Sequence, residues 1–207
     1  MNSKVSIMVI IFSLVLMSFA VSASASAVVP DGFVGIPWGA NREQVIKTMN
    51  ERGFTTQGTT SWGGMAPSTL VFRGAFDGVP CQLQFDLLNN ALYAGHATQL
   101  GLFSPPGHLE GLYKRMVSQI GTKYGPPQSD KMNEYKEDNG KIYGRGWMAS
   151  WELIDNDSLD KFGIWVDLDI PGAMYYSNAP DPNKPEPSVT ITYTAISLQD
   201  RLKKKEF

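Results

Sequence analysis

The sequence predicts an α+β domain in which an antiparallel sheet is covered on one face by two helices. Several segments alternate apolar and polar residues, as strands with one buried face do. Two other stretches place apolar residues at helical spacing, and strands do not alternate regularly with helices, which argues against a parallel doubly wound sheet. The predicted order is β-α-βββ-α-βββ, and its repeated unit is compatible with two related halves.

Residues 1–25 are predicted to form a secretory signal peptide. Lys4 precedes an uncharged apolar run over residues 5–21, and an alternating Ser-Ala segment follows. That order is typical of exported proteins, and cleavage is expected after Ala25 or Ala27. The alternative is an uncleaved anchor, because the run is close to the minimum of about 17 residues for a spanning helix. We therefore expect an exported protein, periplasmic or extracellular, with no membrane span in the mature chain.

The composition predicts a single globular domain over residues 28–199, followed by a charged tail over residues 200–207. The 207-residue chain has 43% hydrophobic residues, a net charge of -2 and one Cys. A chain with this charge and no basic clusters is unlike a nucleic-acid-binding protein, whose affinity depends on neutralising phosphates. One Cys excludes a disulfide framework and a Cys-rich zinc site.

The first half of the domain is predicted to start with a short strand over residues 33–38 and a helix. Asn41 can cap the helix, with Gln44 three residues later, and Gly53 is suited to its C-terminal end. A loop rich in Gly, Thr and Ser is expected over residues 55–68. Three strands joined by tight turns follow over residues 69–76, 79–87 and 91–100.

The second half repeats this pattern. A helix starts between Ser104 and Leu109, and Gly125 with the following two prolines ends it. A polar loop is expected over residues 128–140. Three alternating strands follow over residues 147–153, 161–170 and 188–195.

Two groups of residues are weak candidates for chemistry. Cys81 lies in an alternating strand and is expected to be buried, yet it and His96 could be neighbours on one face of a hairpin, as a Cys/His nucleophile pair requires. Asp155, Asp157 and Asp160 resemble a calcium loop, but their spacing fails the EF-hand pattern, so a solvated turn is the better interpretation. No metal site and no cofactor are predicted.

The strongest candidate for binding is the polar face of the predicted sheet. Trp165, Asp167 and Asp169 alternate with apolar residues on one strand and are expected to point away from the helices. An open polar face with an aromatic residue is able to bind a ligand, a glycan or a partner; the alternative is an ordinary solvated face. Other residues predicted on this face are Arg73, Gln82, Gln84, Tyr93, Ser150, Glu152, Thr190, Thr192 and Thr194.

Two short motifs resemble those of small exported bacterial α+β proteins of unknown function. GIPWG at residues 35–39 precedes a helix, and KYGP at residues 123–126 ends one. A weaker similarity is to small outer-membrane assembly lipoproteins and secreted enzyme-inhibitor domains, although this chain lacks the lipid-anchor Cys. The resemblance implies a bacterial envelope setting and a compact α+β domain, and it transfers no catalytic residue.

The predicted function is therefore a non-catalytic binding or interaction domain of the bacterial envelope. Its partner is an unknown ligand or envelope protein, with no nucleic acid. The alternatives are an enzyme that uses Cys81 with His96, or a structural subunit of an envelope assembly.

Overall fold

The structure is a computed structural model that describes residues 28–61, 68–76, 79–100, 106–136, 142–171 and 188–204. These residues form ten strands and three helices. In chain order, the elements are β1 (Gly32–Phe33), β2 (Ile36–Pro37), α1 (Arg42–Glu51), β3 (Thr55–Ser61), β4 (Ser68–Phe76), β5 (Val79–Leu88), β6 (Ala91–Leu100), α2 (Pro106–Tyr124), β7 (Ser129–Lys136), β8 (Ile142–Ile154), β9 (Lys161–Pro171), β10 (Ser188–Ala195) and α3 (Ile196–Lys204). The predicted signal peptide lies outside the described residues.

Eight strands form one antiparallel sheet in the order β3-β4-β5-β6-β10-β9-β8-β7. This confirms the α+β class and the antiparallel sheet. Each of α1 and α2 is followed by four strands, and the fourth strands, β6 and β10, pair at the centre. The topology of the first half is thus repeated in the second half.

The predicted element order differs from the structure at both edges of the sheet and at its start, where the single strand expected over residues 33–38 is the antiparallel pair β1 and β2. β3 and β7 lie in segments that were predicted as polar loops. Each strand pairs on one side only, β3 with β4 and β7 with β8. Edge strands rich in Thr or in charged residues do not show the apolar alternation from which the other strands were predicted.

Helix α3 occupies most of the segment that was expected to be a charged tail. It extends to Lys204, and Leu202 is 7% exposed in a small cluster with Leu88, Tyr93 and Ala94. Leu198 of the same helix is partly buried against this cluster, and the charged residues of α3 obscured both apolar positions in the sequence. Within the described part of the chain, no helix is long and apolar enough to cross a membrane.

Helices α1 and α2 contribute apolar side chains to the same core cluster as the sheet. Asn41 and Gln44 form the predicted capping box at the start of α1, and this helix buries Val45 and Met49. Helix α2 buries the residues that its apolar periodicity indicated: Leu109, Leu112, Tyr113, Met116 and Ile120. They pack in one cluster with the odd-numbered residues of β5 and β10 and the even-numbered residues of β9.

The strand register separates the sheet residues into an apolar and a polar face. One transverse row joins Phe85, Gly95, Tyr193, Ile164 and Trp151, all of which are buried. The next row joins Gln84, His96, Thr192, Trp165 and Ser150. Because successive side chains of a strand point to opposite sides, the second row lies on the other face of the sheet.

Candidate functional site: the polar face of the sheet

The predicted binding residues Trp165, Asp167 and Asp169 lie on one face of β9. The residues between them, Val166 and Leu168, are 0% and 1% exposed in the core, so the three side chains point to the opposite face. On β10 their cross-strand partners are Thr192, Thr190 and Ser188. We call this surface, together with His96 and Thr98 on β6, the polar face.

The indole of Trp165 lies along its own strand over Gly163. A Cβ atom built on Gly163 would be 2.6 Å from Cζ3 and 2.8 Å from Cζ2 of the indole, closer than real Cβ contacts. Only a residue without a side chain leaves room for the ring in this position. Trp165 itself is half-buried, so part of the ring remains accessible.

The carboxylates of Asp167 and Asp169 lack a compensating charge in direct contact. Within the part of the chain that the structure describes, neither one forms a hydrogen bond or an ion pair. Burial raises the pKa of Asp167, and the charge of His96 offsets this only in part; burial also raises the pKa of Asp169. Asp167 is partly buried whereas Asp169 is exposed, so a charge on Asp167 is the less well solvated of the two.

A hydrogen-bonded chain of four side chains crosses the polar face beside these residues. Thr69 donates its hydroxyl to Oδ1 of Asp86 at 2.7 Å, and the other carboxylate oxygen lies 2.9 Å from Nε2 of His96. The second ring nitrogen of His96, Nδ1, lies 3.0 Å from the hydroxyl of Thr192. This chain links strands β4, β5, β6 and β10 through their side chains.

The charge of Asp86 determines the direction of these hydrogen bonds. Burial raises the pKa of Asp86, but hydrogen bonds from His96 and Thr69 outweigh that effect, and the pKa is lowered overall. An ionised carboxylate only accepts, so Nε2 of His96 carries a proton. In the neutral imidazole, Nδ1 then accepts the hydroxyl proton of Thr192, whose oxygen is left to accept a hydrogen bond from outside.

The alternative in which Cys81 pairs with His96 does not hold. Cys81 lies opposite Gln99, whereas His96 lies opposite Gln84, so the two side chains are on opposite faces. Cys81 is partly buried and packs against the core, as its alternating strand predicted. A register shift at the end of the β5–β6 hairpin next to the turn separates the pair, because it places one extra residue, Tyr93, in β6.

Hydrogen bonds connect the hydroxyl of Thr192 to the imidazole of His96, and the imidazole to the carboxylate of Asp86. Enzymes that activate a hydroxyl nucleophile use the same three groups in this order. Acyl transfer also needs donors directed at the developing oxyanion. β10 is paired on both sides, with β6 and with β9, so its peptide N–H groups are used by the two ladders. The peptide N–H groups of β10 are therefore not available as oxyanion donors.

Two of the three acidic side chains of the 155–160 segment have partners within the protein. Asp155 accepts hydrogen bonds from the backbone of Asp157 and the hydroxyl of Ser158, and Asp160 is paired with Arg201. Among the residues whose placement is described, no group of three or more His, Cys, Asp or Glu side chains is close enough to hold a metal ion.

Comparison with protein-family models, curated proteins and solved structures finds no match to this chain.

Proposed function

We propose that this protein is an exported, soluble protein of the bacterial envelope that acts by binding rather than by catalysis, and that the polar face is its binding surface. The observation that carries the proposal is the row Trp165, Asp167, Asp169. It combines an accessible aromatic ring with two carboxylates that have no partner among the described residues. Such uncompensated groups are typical of a surface that is completed by a ligand.

The distribution of helices on the sheet supports this location. α1 and α2 both bury their apolar residues in the core cluster that contains Leu83 and Ile191, and we take both to cover that one face. The opposite face carries partly buried polar groups over its centre. The hydrogen-bonded chain through His96 holds this face in one arrangement before any partner arrives, which reduces the entropy lost on binding.

Site-specific photo-crosslinking in the native host tests the binding surface. A photoreactive residue would replace Thr190 on the polar face or, as the control, the exposed Lys114 on α2. We expect a discrete crosslinked product from position 190 that is absent from position 114 and is lost when Trp165→Ala is added. Equal products from both positions, or a product that Trp165→Ala leaves unchanged, would contradict the proposed surface.

N-terminal sequencing of the protein from culture fractions tests export. The Ser-Ala segment predicts that the mature protein begins at Ser26 or Val28, in the periplasmic or extracellular fraction. A protein that retains Met1 in the cytoplasmic fraction would refute this part of the proposal.

A further inference from the structure

We infer that the partner of the polar face is a basic segment of another protein, which places two Lys or Arg side chains against Asp167 and Asp169. The inference rests on the proposed binding function and names the chemistry of the partner. It is carried by the charge of the two carboxylates, by the hydrogen-bonding polarity of the neighbouring groups and by the position of Trp165.

The charge of Asp167 and Asp169 is not neutralised by their cross-strand neighbours. On β9, Asp167 and Asp169 have Thr190 and Ser188 as cross-strand partners on one side and Met148 and Gly146 on the other. None of these four side chains carries a charge. A carboxylate is stabilised by a cation in contact with it, the more so where burial weakens its solvation, as at Asp167, whereas a nucleic acid or an anionic lipid would be repelled.

The groups around Asp167 offer acceptors to a partner. Its carboxylate can only accept hydrogen bonds, and the hydroxyl of Thr192 is turned toward His96 in the neutral-imidazole arrangement described above. Lys and Arg side chains contain donors and no acceptors, so they match this polarity. A partner that presented carboxylates or phosphates to Asp167 would place acceptors against acceptors and like charges together.

Trp165 adds a specific place for a cation beside the carboxylates. Its indole is fixed along the strand by the contact with Gly163 and is partly exposed. A guanidinium or ammonium group over an indole gains roughly 0.5–1 kcal/mol at an exposed site. Asp167 follows Trp165 on the side away from Gly163, so the ring and the carboxylates can contact different basic side chains of one partner.

The spacing of the row indicates the form of the partner. Residues two apart on a strand are separated by roughly 6.6–6.8 Å on the same face. An extended peptide presents its own alternate side chains at the same interval. A segment with basic residues at positions i and i+2 can therefore contact Asp167 and Asp169 together.

Titration calorimetry with two peptides of identical composition tests the inference. In acetyl-Gly-Ser-Arg-Thr-Arg-Ser-Gly-amide one residue separates the arginines, and in acetyl-Arg-Gly-Ser-Thr-Ser-Gly-Arg-amide five residues do. We expect the first peptide to bind the purified protein about threefold tighter or more, because it satisfies both carboxylates. Spermidine serves as a free polycation, and binding of spermidine as tight as that of the first peptide would overturn the assignment to a protein segment.

Charge-matched variants distinguish the effect of the two polar-face carboxylates on binding from the effect of the protein's net charge. Asp167→Asn with Asp169→Asn should weaken binding of the first peptide about tenfold. Glu43→Gln with Asp157→Asn removes the same charge from exposed positions away from the polar face and should change affinity by no more than about twofold. Affinity should also fall as the pH approaches the raised pKa values of Asp167 and Asp169 from above, since protonation removes the charge that attracts the cation.

The outcomes distinguish this inference from the function on which it rests. Equal affinity of the Asp167→Asn/Asp169→Asn variant and the charge-matched variant would refute the basic partner. If neither peptide binds while crosslinking from position 190 persists, the partner is not basic but the binding surface stands. If the double variant fails to fold by circular dichroism, the two single variants and the peptide comparison on the unmodified protein decide the question.

Discussion

Replacing Gly163 by Ala tests the position of the Trp165 indole on the polar face. The added methyl group would lie 2.6 Å from Cζ3 and 2.8 Å from Cζ2 of the indole, and closer still to Cη2. No rearrangement of the strand backbone is needed to relieve this contact. The overlapping atoms are at the end of a half-buried side chain that can rotate toward solvent.

The magnitudes predict a large effect on the indole and a small effect on stability. Overpacking costs about 1–3 kcal/mol where a side chain cannot move. Replacing Gly by Ala contributes roughly 0.4–1 kcal/mol of stability where the backbone permits it, because the unfolded chain loses freedom. Since Trp165 can rotate, we expect the two effects nearly to cancel, with a net change in unfolding free energy within about 1 kcal/mol.

Fluorine NMR of protein labelled with 5-fluorotryptophan measures the indole, and urea denaturation measures stability. The Trp165 resonance would be assigned by its loss in Trp165→Phe. Gly163→Ala should shift this resonance and weaken binding of the first peptide. Gly121→Ala is the matched control, because a Cβ there meets nothing within 4 Å; it should leave the resonance in place and stabilise α2 by up to about 1 kcal/mol. An unchanged Trp165 resonance in Gly163→Ala would refute the packing described here.

Three further predictions concern the core, the polar network and α3, each measured by urea denaturation. Met116→Ala leaves a cavity in the core and should cost about 2–5 kcal/mol, whereas exposed Lys114→Ala should stay within about 0.5 kcal/mol; the reverse ranking would contradict the helical phase. Asp86→Ala and His96→Ala should show a coupling of about 1–2 kcal/mol at pH 7. Because the pKa of Asp86 is lowered in the folded protein, this coupling is present above the ordinary Asp range and should disappear as the pH falls through the folded pKa; a coupling that persists at the lowest pH at which the protein folds would contradict it. Leu202→Ala should cost about 2 kcal/mol and accelerate amide exchange in α3; unchanged exchange would show that this residue does not anchor the helix.

The sequence was sufficient to predict the central strands and the faces of most of them. Strong alternation over residues 79–87, 161–170 and 188–195 matches β5, β9 and β10 to within one residue. The side-chain period of a strand is two, so correct alternation also assigns each residue to a face. For this reason the sequence alone assigns Trp165, Asp167 and Asp169 to the polar face.

The hydrogen bonds of His96 could not be predicted from the sequence, because a single extra residue in β6 determines the face of the sheet on which His96 lies. Next to the turn, Leu88 pairs with Ala91 and Leu87 with Leu92; beyond the bulge, Asp86 pairs with Ala94. Continued without the bulge, the register would set His96 opposite Leu83, on the same face as Cys81. A one-residue shift moves every following side chain to the other face, which is how His96 comes to meet Asp86.

Helix α3 determines from which side a partner can approach the polar face. Its Leu202 packs on Ala94, which precedes His96 on the same face of β6, and Gln199 is hydrogen-bonded to Tyr93. The helix therefore covers the end of the face next to the β5–β6 turn. Asp169 lies toward the opposite end, six cross-strand rows from Gly163. A partner that contacts Trp165 and extends along β9 away from α3 therefore passes Asp167 and Asp169.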